Sequence, residues 1–413
     1  MKIIKDPKRD EIPTSKNEGD QSQFPGWRIV RLLGLLVVLV ACLLGYNGYR
    51  ASLPGKYQNL YHEANQNEDW NNAEFWARKW TEVDNANGDA WLALGDALQT
   101  QQKWQELSDA LSQFPVDDKR ALKILDMRGD LLVSELNDIV EAEANDLKLL
   151  KLEPLNASAR QRLTYIYSMT LQREKLSQLL RDSVQLQREP QEAYYYLFSL
   201  SNLSFSDGLL VTTKWLKKRP ESEPLQIAQA IFSVRTKTGK SQSLFEKEGI
   251  LPGDFSLLEK CKNKYPQNVE IFAYEIYQAM IKNDAETVEK LIEKIDLEKI
   301  HDSRIFRYRA WLFNTQGKIK EALANCRKAL ELNKLDWRIH LDLAELERLS
   351  GNKEIAAKHA KLASRGKSIE TSFQALKNAT VAPFDQLKTL YEYIRDCGEE
   401  DLAFVLGKRL NLY

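Results

Sequence analysis

The sequence predicts an all-α protein in which repeated helical hairpins follow one N-terminal helix able to span a bilayer. Three observations carry that prediction. The stretch "GKIKEALANCRKALELN" from Gly317 is answered by "GNKEIAAKHAKLASRGK" from Gly351, and Ala310, Gly317, Ala322 and Ala329 return as Ala344, Gly351, Ala356 and Ala363, a shift of 34 residues. Gly and Pro are sparse, 18 and 12 in 413 residues, while Ala, Leu, Glu, Lys, Gln and Arg, the residues that lose least on entering a helix, run in long stretches. An unbroken apolar run from Leu32 to Tyr46 lies near the start.

Residues 1–26 are polar and mixed in charge, with too little apolar surface to offset the entropy of ordering, so a disordered tail is expected. Residues 27–49 then read as a transmembrane helix. At about 1.5 Å per residue this segment crosses a hydrocarbon core of roughly 30 Å. Arg28 and Arg31 can snorkel to one face, and Trp27, Tyr46 and Tyr49 stand at the edges as interfacial aromatics. A cleaved signal peptide fits less well, because "YNGYRASLPGK" offers a poor cleavage site behind a long polar leader. Leu39, Val40, Ala41 and Cys42 resemble a lipobox, but Leu43, Leu44, Gly45 and Tyr46 stay apolar where a mature lipoprotein turns polar, so Cys42 reads as a residue inside the span. Lys2, Lys5, Lys8, Arg9, Lys16, Arg28 and Arg31 precede the helix against Arg50 and Lys56 after it, which predicts a cytoplasmic tail and an exported remainder.

From Pro54 onward the repeat can be followed. Ala73 and Trp80 fit the second helix of a first unit. "WLALGDAL" carries Trp91, Leu94, Gly95 and Leu98, and its unit closes at Phe114-Pro115. Further units start near Lys123, with Ala142 and Pro154, and near Ala157, with Leu163, Tyr167 and Pro190. The period and the W-x2-L-G-x2 opening resemble the tetratricopeptide repeat family, with Leu98 where that family prefers Tyr. The resemblance covers roughly residues 54–410, is specific in about four units, and implies an α-solenoid whose concave face binds a protein or peptide. Residues 54–190 and 301–413 are assigned to such repeats, the latter ending in a capping hairpin at Gly398 and Ala403. Residues 191–300 are assigned to about three degenerate helical pairs, with "KTGKSQSLFEKEGILPGDF" as an irregular connection.

Lys plus Arg equals Asp plus Glu, 59 each, which argues against a broad phosphate-neutralising surface and so against nucleic acid as partner. Cys42, Cys261, Cys326 and Cys397 form no CxxC, and His62, His301, His340 and His359 form no HxxxH; no metal is assigned. There is no GxSxG, GxxxxGK[ST] or GxGxxG. "TKTGKSQS" fails as a phosphate loop because Val234 stands where its first glycine belongs. No enzyme, cofactor or small-molecule substrate is expected.

The resemblance places partner contacts on first-helix positions that do not pack the stack. Carried onto the two clearest units these are Arg304, Arg307, Trp311 and Asn314, then Arg338, Leu341, Glu345 and Arg348. Four arginines beside a Trp suit an acidic or carboxylate-bearing segment through bidentate bonds; the competing reading is a solvated helix face. The function expected is a membrane-anchored scaffold for protein–protein interaction in envelope assembly, secretion or chaperoning. Its place would be the inner membrane of a bacterium, single-pass, with the solenoid periplasmic. A non-catalytic regulatory subunit of a membrane enzyme is the rival, and a cytoplasmic solenoid a third arrangement.

Overall fold

The computed structural model describes residues 26–236, 252–376 and 382–412. Residues 1–25, read above as a tail, and nearly all of the connection around Gly239 and Lys240 lie outside the described residues. The described residues are all-α, with no strand, and form tetratricopeptide-like hairpins in two compact units, residues 1–85 and 86–413.

In the first unit, α1 (Gly26–Gln66) runs for 41 residues and packs its C-terminal part on α2 (Trp70–Val83). One helix therefore carries both the apolar segment and the first helix of the first hairpin. Pro54 lies inside it; the proline has no N–H for the Arg50 carbonyl, and the Ser52 hydroxyl meets the Tyr49 carbonyl at 2.8 Å in the same turn. The part from Val30 on is long and apolar enough to cross a membrane, and its large side chains are exposed on every side, from Val30 to Tyr49. Tyr61, Ala64, Ala73, Ala77 and Trp80 close the hairpin, and the Asp69 side chain accepts from the Asn72 amide at the start of α2.

The second unit stacks further hairpins. These are α3 (Gly88–Thr100) with α4 (Trp104–Ser112), α5 (Ala121–Ser134) with α6 (Ile139–Leu152), and α7 (Ala157–Met169) with α8 (Arg173–Gln185). The described part of residues 191–300 holds three pairs: short α9 (Ala193–Phe198) before α10 (Gly208–Lys218), α11 (Glu223–Arg235) before α12 (Phe255–Lys264), and α13 (Val269–Ile281) with α14 (Ala285–Ile292). The chain then continues through α15 (Ser303–Thr315) with α16 (Ile319–Leu332), α17 (Trp337–Leu349) with α18 (Lys353–Gln374), and α19 (Phe384–Asp396) with α20 (Glu400–Arg409). The small residues of the period do what close helix crossing requires: Ala310, Ala322, Ala329, Ala356 and Ala363 are buried.

The hairpin turn has a period of its own. A residue with positive φ joins the two helices at Glu68, Gln102, Asn137 and Leu171, and again at Asn283, Gly317 and Gly351, each 34 or 35 residues after the last within a run. The hydrogen bonds repeat with it. Gly317 N–H donates to the Asn314 carbonyl and Lys318 N–H to Phe313, just as Gln102 N–H donates to Gln99 and Lys103 N–H to Leu98. Glycine meets this left-handed geometry without cost, whereas a side chain is strained there by about 1–2 kcal/mol. Gln102 is exposed and adds no core contact. Gln102→Gly is therefore expected to raise stability by up to about 1 kcal/mol, read as a higher denaturation midpoint. An unchanged or lower midpoint would count against strain at this turn.

Candidate functional site

The second unit closes on itself. The Arg181 guanidinium on α8 donates to both carboxylate oxygens of Glu399, 218 residues away, at 3.1 and 2.9 Å. Arg409 pairs with Glu189 at 3.4 Å and Lys408 with the Gln187 side chain at 3.2 Å. Apolar contacts make the same join. The rings of Tyr195 and Phe373 stack with centroids 4.8 Å apart, and Phe198 meets Tyr393 edge-on at 5.6 Å. The segment after α9 is tied in by Asn202 to Glu370 at 3.2 Å and by the Asn333 amide to the Ser201 hydroxyl at 3.3 Å.

Closure leaves a cleft of about 1050 Å³. One wall is α8 and the turn before it. The facing wall is made of the starts of α11, α13 and α15, with Leu200, Ser201 and Asn333 at the ends. First helices in such a stack run side by side, so their N-terminal turns share one edge. Asn268 and Asp302 cap two of those turns by accepting from the Glu270 and Arg304 amides at 3.0 and 2.9 Å.

A buried ion network forms the floor. Glu270 accepts from Arg173 Nε at 2.8 Å and from Arg304 Nη1 at 3.1 Å, and Arg304 Nε also reaches both oxygens of Asp302 at 3.0 and 3.1 Å. Burial alone would raise the Glu270 carboxyl, but the charges of Arg173 and Arg304 overrule it and hold the group down at about 2. Burial, and then the charge of Arg304, push Arg173 down to about 10. Burial opposes the charge of Arg304 as well, yet Asp302 and Glu270 hold its pKa well above the ordinary value. Arg173 Nη1 donates to the Leu200 carbonyl, while its Nη2, also buried, has no partner.

Of the eight residues read from the sequence as partner contacts, Arg304 lines the cleft and is itself buried in this network. Arg307 donates to Asp342 at 2.7 Å. Arg338 lies over the Trp337 ring, 4.4 Å from its centroid, and donates to Glu370 at 2.7 and 2.9 Å. Trp311, on α15, packs half-buried against the apolar cluster that α15 shares with α13 and α14; Asn314 is half-buried, and Leu341, Glu345 and Arg348 are exposed. The eight therefore share neither a face nor a role. Three of the arginines are drawn to internal carboxylates, because an arginine buried without a counter-charge is strongly unfavourable. Sequence reasoning missed α8 and the helix starts as walls. A signal did exist: Asn156, Asn268, Asp302 and Asp336 each stand one residue ahead of a first helix with a side chain accepting from the opening turn, marking a recurrent edge.

No family model matches the sequence, and no curated protein matches it. Among solved structures, the chain is similar to a tetratricopeptide repeat protein from Parabacteroides merdae, with a TM-score of 0.26 and 15% identity over 71% of this chain and 98% of that one. It is also similar to PilF of Pseudomonas aeruginosa, with a TM-score of 0.29 and 17% identity over 54% of this chain and 91% of that one.

Proposed function

We propose that this protein is a membrane-anchored, non-catalytic scaffold that holds an extended segment of a partner protein in the cleft of its closed helical stack. The observation that carries this reading is the cleft itself. At about 1050 Å³ it stands at the upper end of the roughly 300–1000 Å³ usual for small-molecule pockets, and its walls are long helix edges that carry many polar and charged side chains among apolar ones. In this reading α1 is the anchor, the basic residues before it keep the tail in the cytoplasm, and the repeats lie on the outer side of the inner membrane, where they would serve envelope assembly, secretion or chaperoning. Anchoring raises the local concentration of the groove near membrane-bound partners. Arg304 belongs to the cleft floor, Arg307 and Arg338 brace the stack, and Trp311, Asn314 and Arg348 lie outside the lining.

A photo-crosslinking residue placed at Gln178, exposed on the cleft wall, is expected to capture a discrete partner in intact cells, while one at the exposed Glu354 on α18 captures none. Equal capture from both positions, or capture from Glu354 alone, would move the binding surface away from the cleft.

A further inference from the structure

We infer that the segment bound in the cleft presents basic side chains, lysine or arginine, to α8, rather than the acidic ones that an arginine-rich repeat face suggests. The inference rests on the proposed reading of the cleft as a polypeptide site and adds the partner's chemistry. It comes from an inventory of charge. The lining holds five cations, and each is answered within the chain: Arg173 by Glu270 at 2.8 Å, Lys175 by Glu143 at 2.8 Å, Arg181 by Glu399 at 2.9 Å, Lys299 by Asp296 at 2.8 Å, and Arg304 by Asp302 and Glu270. The lining also holds five carboxylates. Glu270 and Asp302 belong to the floor network, but Glu174, Asp182 and Glu223 form no ion pair with a lysine or arginine among the described residues. Their polar neighbours are weak: the His301 ring lies 3.8 Å from Glu174, the Asn268 amide donates to Glu223 at 3.2 Å, and the Arg160 guanidinium, held by the Pro154 carbonyl and the Ser183 hydroxyl, acts on Asp182 only through its charge. The charge left over in the cleft is negative.

A second, independent observation fixes the main chain. Arg173 is 7% exposed, and its Nη2 has no acceptor, although Nε is bound to Glu270 and Nη1 to the Leu200 carbonyl. A buried donor left unmade costs about 1–3 kcal/mol, a cost recovered by a ligand oxygen that meets this N–H once the Arg173 side chain shifts toward the cleft. Because Glu270 already answers the charge, a neutral peptide carbonyl suffices. Gln178 and Gln185, exposed on the same wall, add amides that can pair with main-chain groups.

Spacing then limits the ligand. Glu174 and Asp182 are eight residues apart on α8, about 12 Å along the helix. An extended strand advances about 3.3 Å per residue and returns to one face every second residue, so two basic side chains four residues apart meet both carboxylates.

The test uses the full chain in lipid nanodiscs and three fluorescent peptides of one neutral Gly/Ser/Asn sequence, bearing lysine, glutamate or neither at two positions four residues apart. The lysine peptide is expected to bind roughly tenfold or more tighter than the neutral one, as a charge-assisted pair allows, and to weaken as salt rises. Glu174→Gln with Asp182→Asn is expected to remove that preference, so that the variant binds the lysine and neutral peptides equally. Equal or tighter binding of the glutamate peptide overturns the inference and leaves the cleft reading standing. So does failure of all three peptides when Gln178 still captures a partner in cells, whereas failure of the peptides together with loss of that capture removes the cleft reading itself.

Discussion

Glu270→Ala is expected to lower the stability of the second unit by about 3–5 kcal/mol, the largest single-residue effect anticipated in this protein, because it strands buried arginines. Glu270 is the shared anion of Arg173 on α8 and Arg304 on α15, and its own side chain is 12% exposed. Without it, Arg173 keeps only the Leu200 carbonyl, Arg304 keeps only Asp302, and two guanidiniums face each other across a dry floor. Arg235 also feels the charges of both Glu270 and Arg304, so the repulsion is shared by three cations. Glu270→Gln preserves volume and one acceptor oxygen but loses the charge and sets its NH2 against a guanidinium, and belongs between the two. Denaturant midpoints of the three proteins check this order. A loss below about 1 kcal/mol for the alanine variant would show that water reaches the floor and screens the pair as it does at a surface.

That network was not legible in the sequence, although the repeat was. Ala310, Gly317, Ala322 and their partners 34 residues later spell out the hairpin because close crossing needs small side chains and the turn there uses glycine. At Gln102, Asn137, Leu171 and Asn283 the chain makes the same left-handed turn without glycine, and hydrogen bonding and packing hold it, so the marker disappears while the geometry persists. Residues 191–300 keep buried alanines at Ala193, Ala228, Ala230, Ala273 and Ala279, but large neighbours such as Tyr194, Phe198, Ile231 and Phe232 share the packing, which blurs the marker. Closure is harder still to foresee. Arg181 and Glu399 are 218 residues apart, and no local pattern reports that Tyr195 will stack on Phe373. A solenoid is built from neighbour contacts, so sequence period predicts the stacking, whereas the path of the stack accumulates from small rotations that no single repeat encodes. The cleft exists only because of that path. The arginines of the first helices were therefore visible as residues but not as members of internal pairs.

Acid is expected to weaken the hairpin of α17 and α18 by about 3 kcal/mol, through two histidines whose nitrogens meet. His340 is 2% exposed, and its Nε2 lies 3.0 Å from the Lys334 carbonyl, so that nitrogen carries the proton and donates. Its Nδ1 is then an acceptor and stands 3.0 Å from Nδ1 of His359, which must donate. The Cys397 sulfur lies 3.6 Å from the same Nε2, and burial pushes that thiol up to about 12, so it brings no charge. Burial pushes the His340 imidazole down to about 4; the Lys334 carbonyl and Asp336 oppose the shift, and His359 and Lys358 add to it. Burial lowers His359 as well, with Glu347 opposing and Lys358 and Arg327 adding to it. Protonating His359 leaves its Nδ1–H donating as before. Protonating His340 places a charge in a buried site and forces His359 either to move its proton to Nε2 or to turn away. Since the folded pKa lies below the ordinary 6.5, the stabilisation is complete above pH 6.5 and is lost as pH falls through about 4. Glu270 falls in a different window: its group is held at about 2 against an ordinary 4.5, so its contribution stands above pH 4.5 and fails only in stronger acid. His340→Gln keeps a donor for the Lys334 carbonyl but cannot titrate. The variant is expected to have a lower midpoint at pH 7 and, from pH 6.5 to 4.5, a shallower decline than the native chain, the remainder belonging to His359. If the variant declines in parallel with the native chain, the loss in that window belongs to carboxylates, and the histidine pair is a packing contact without a titrating role.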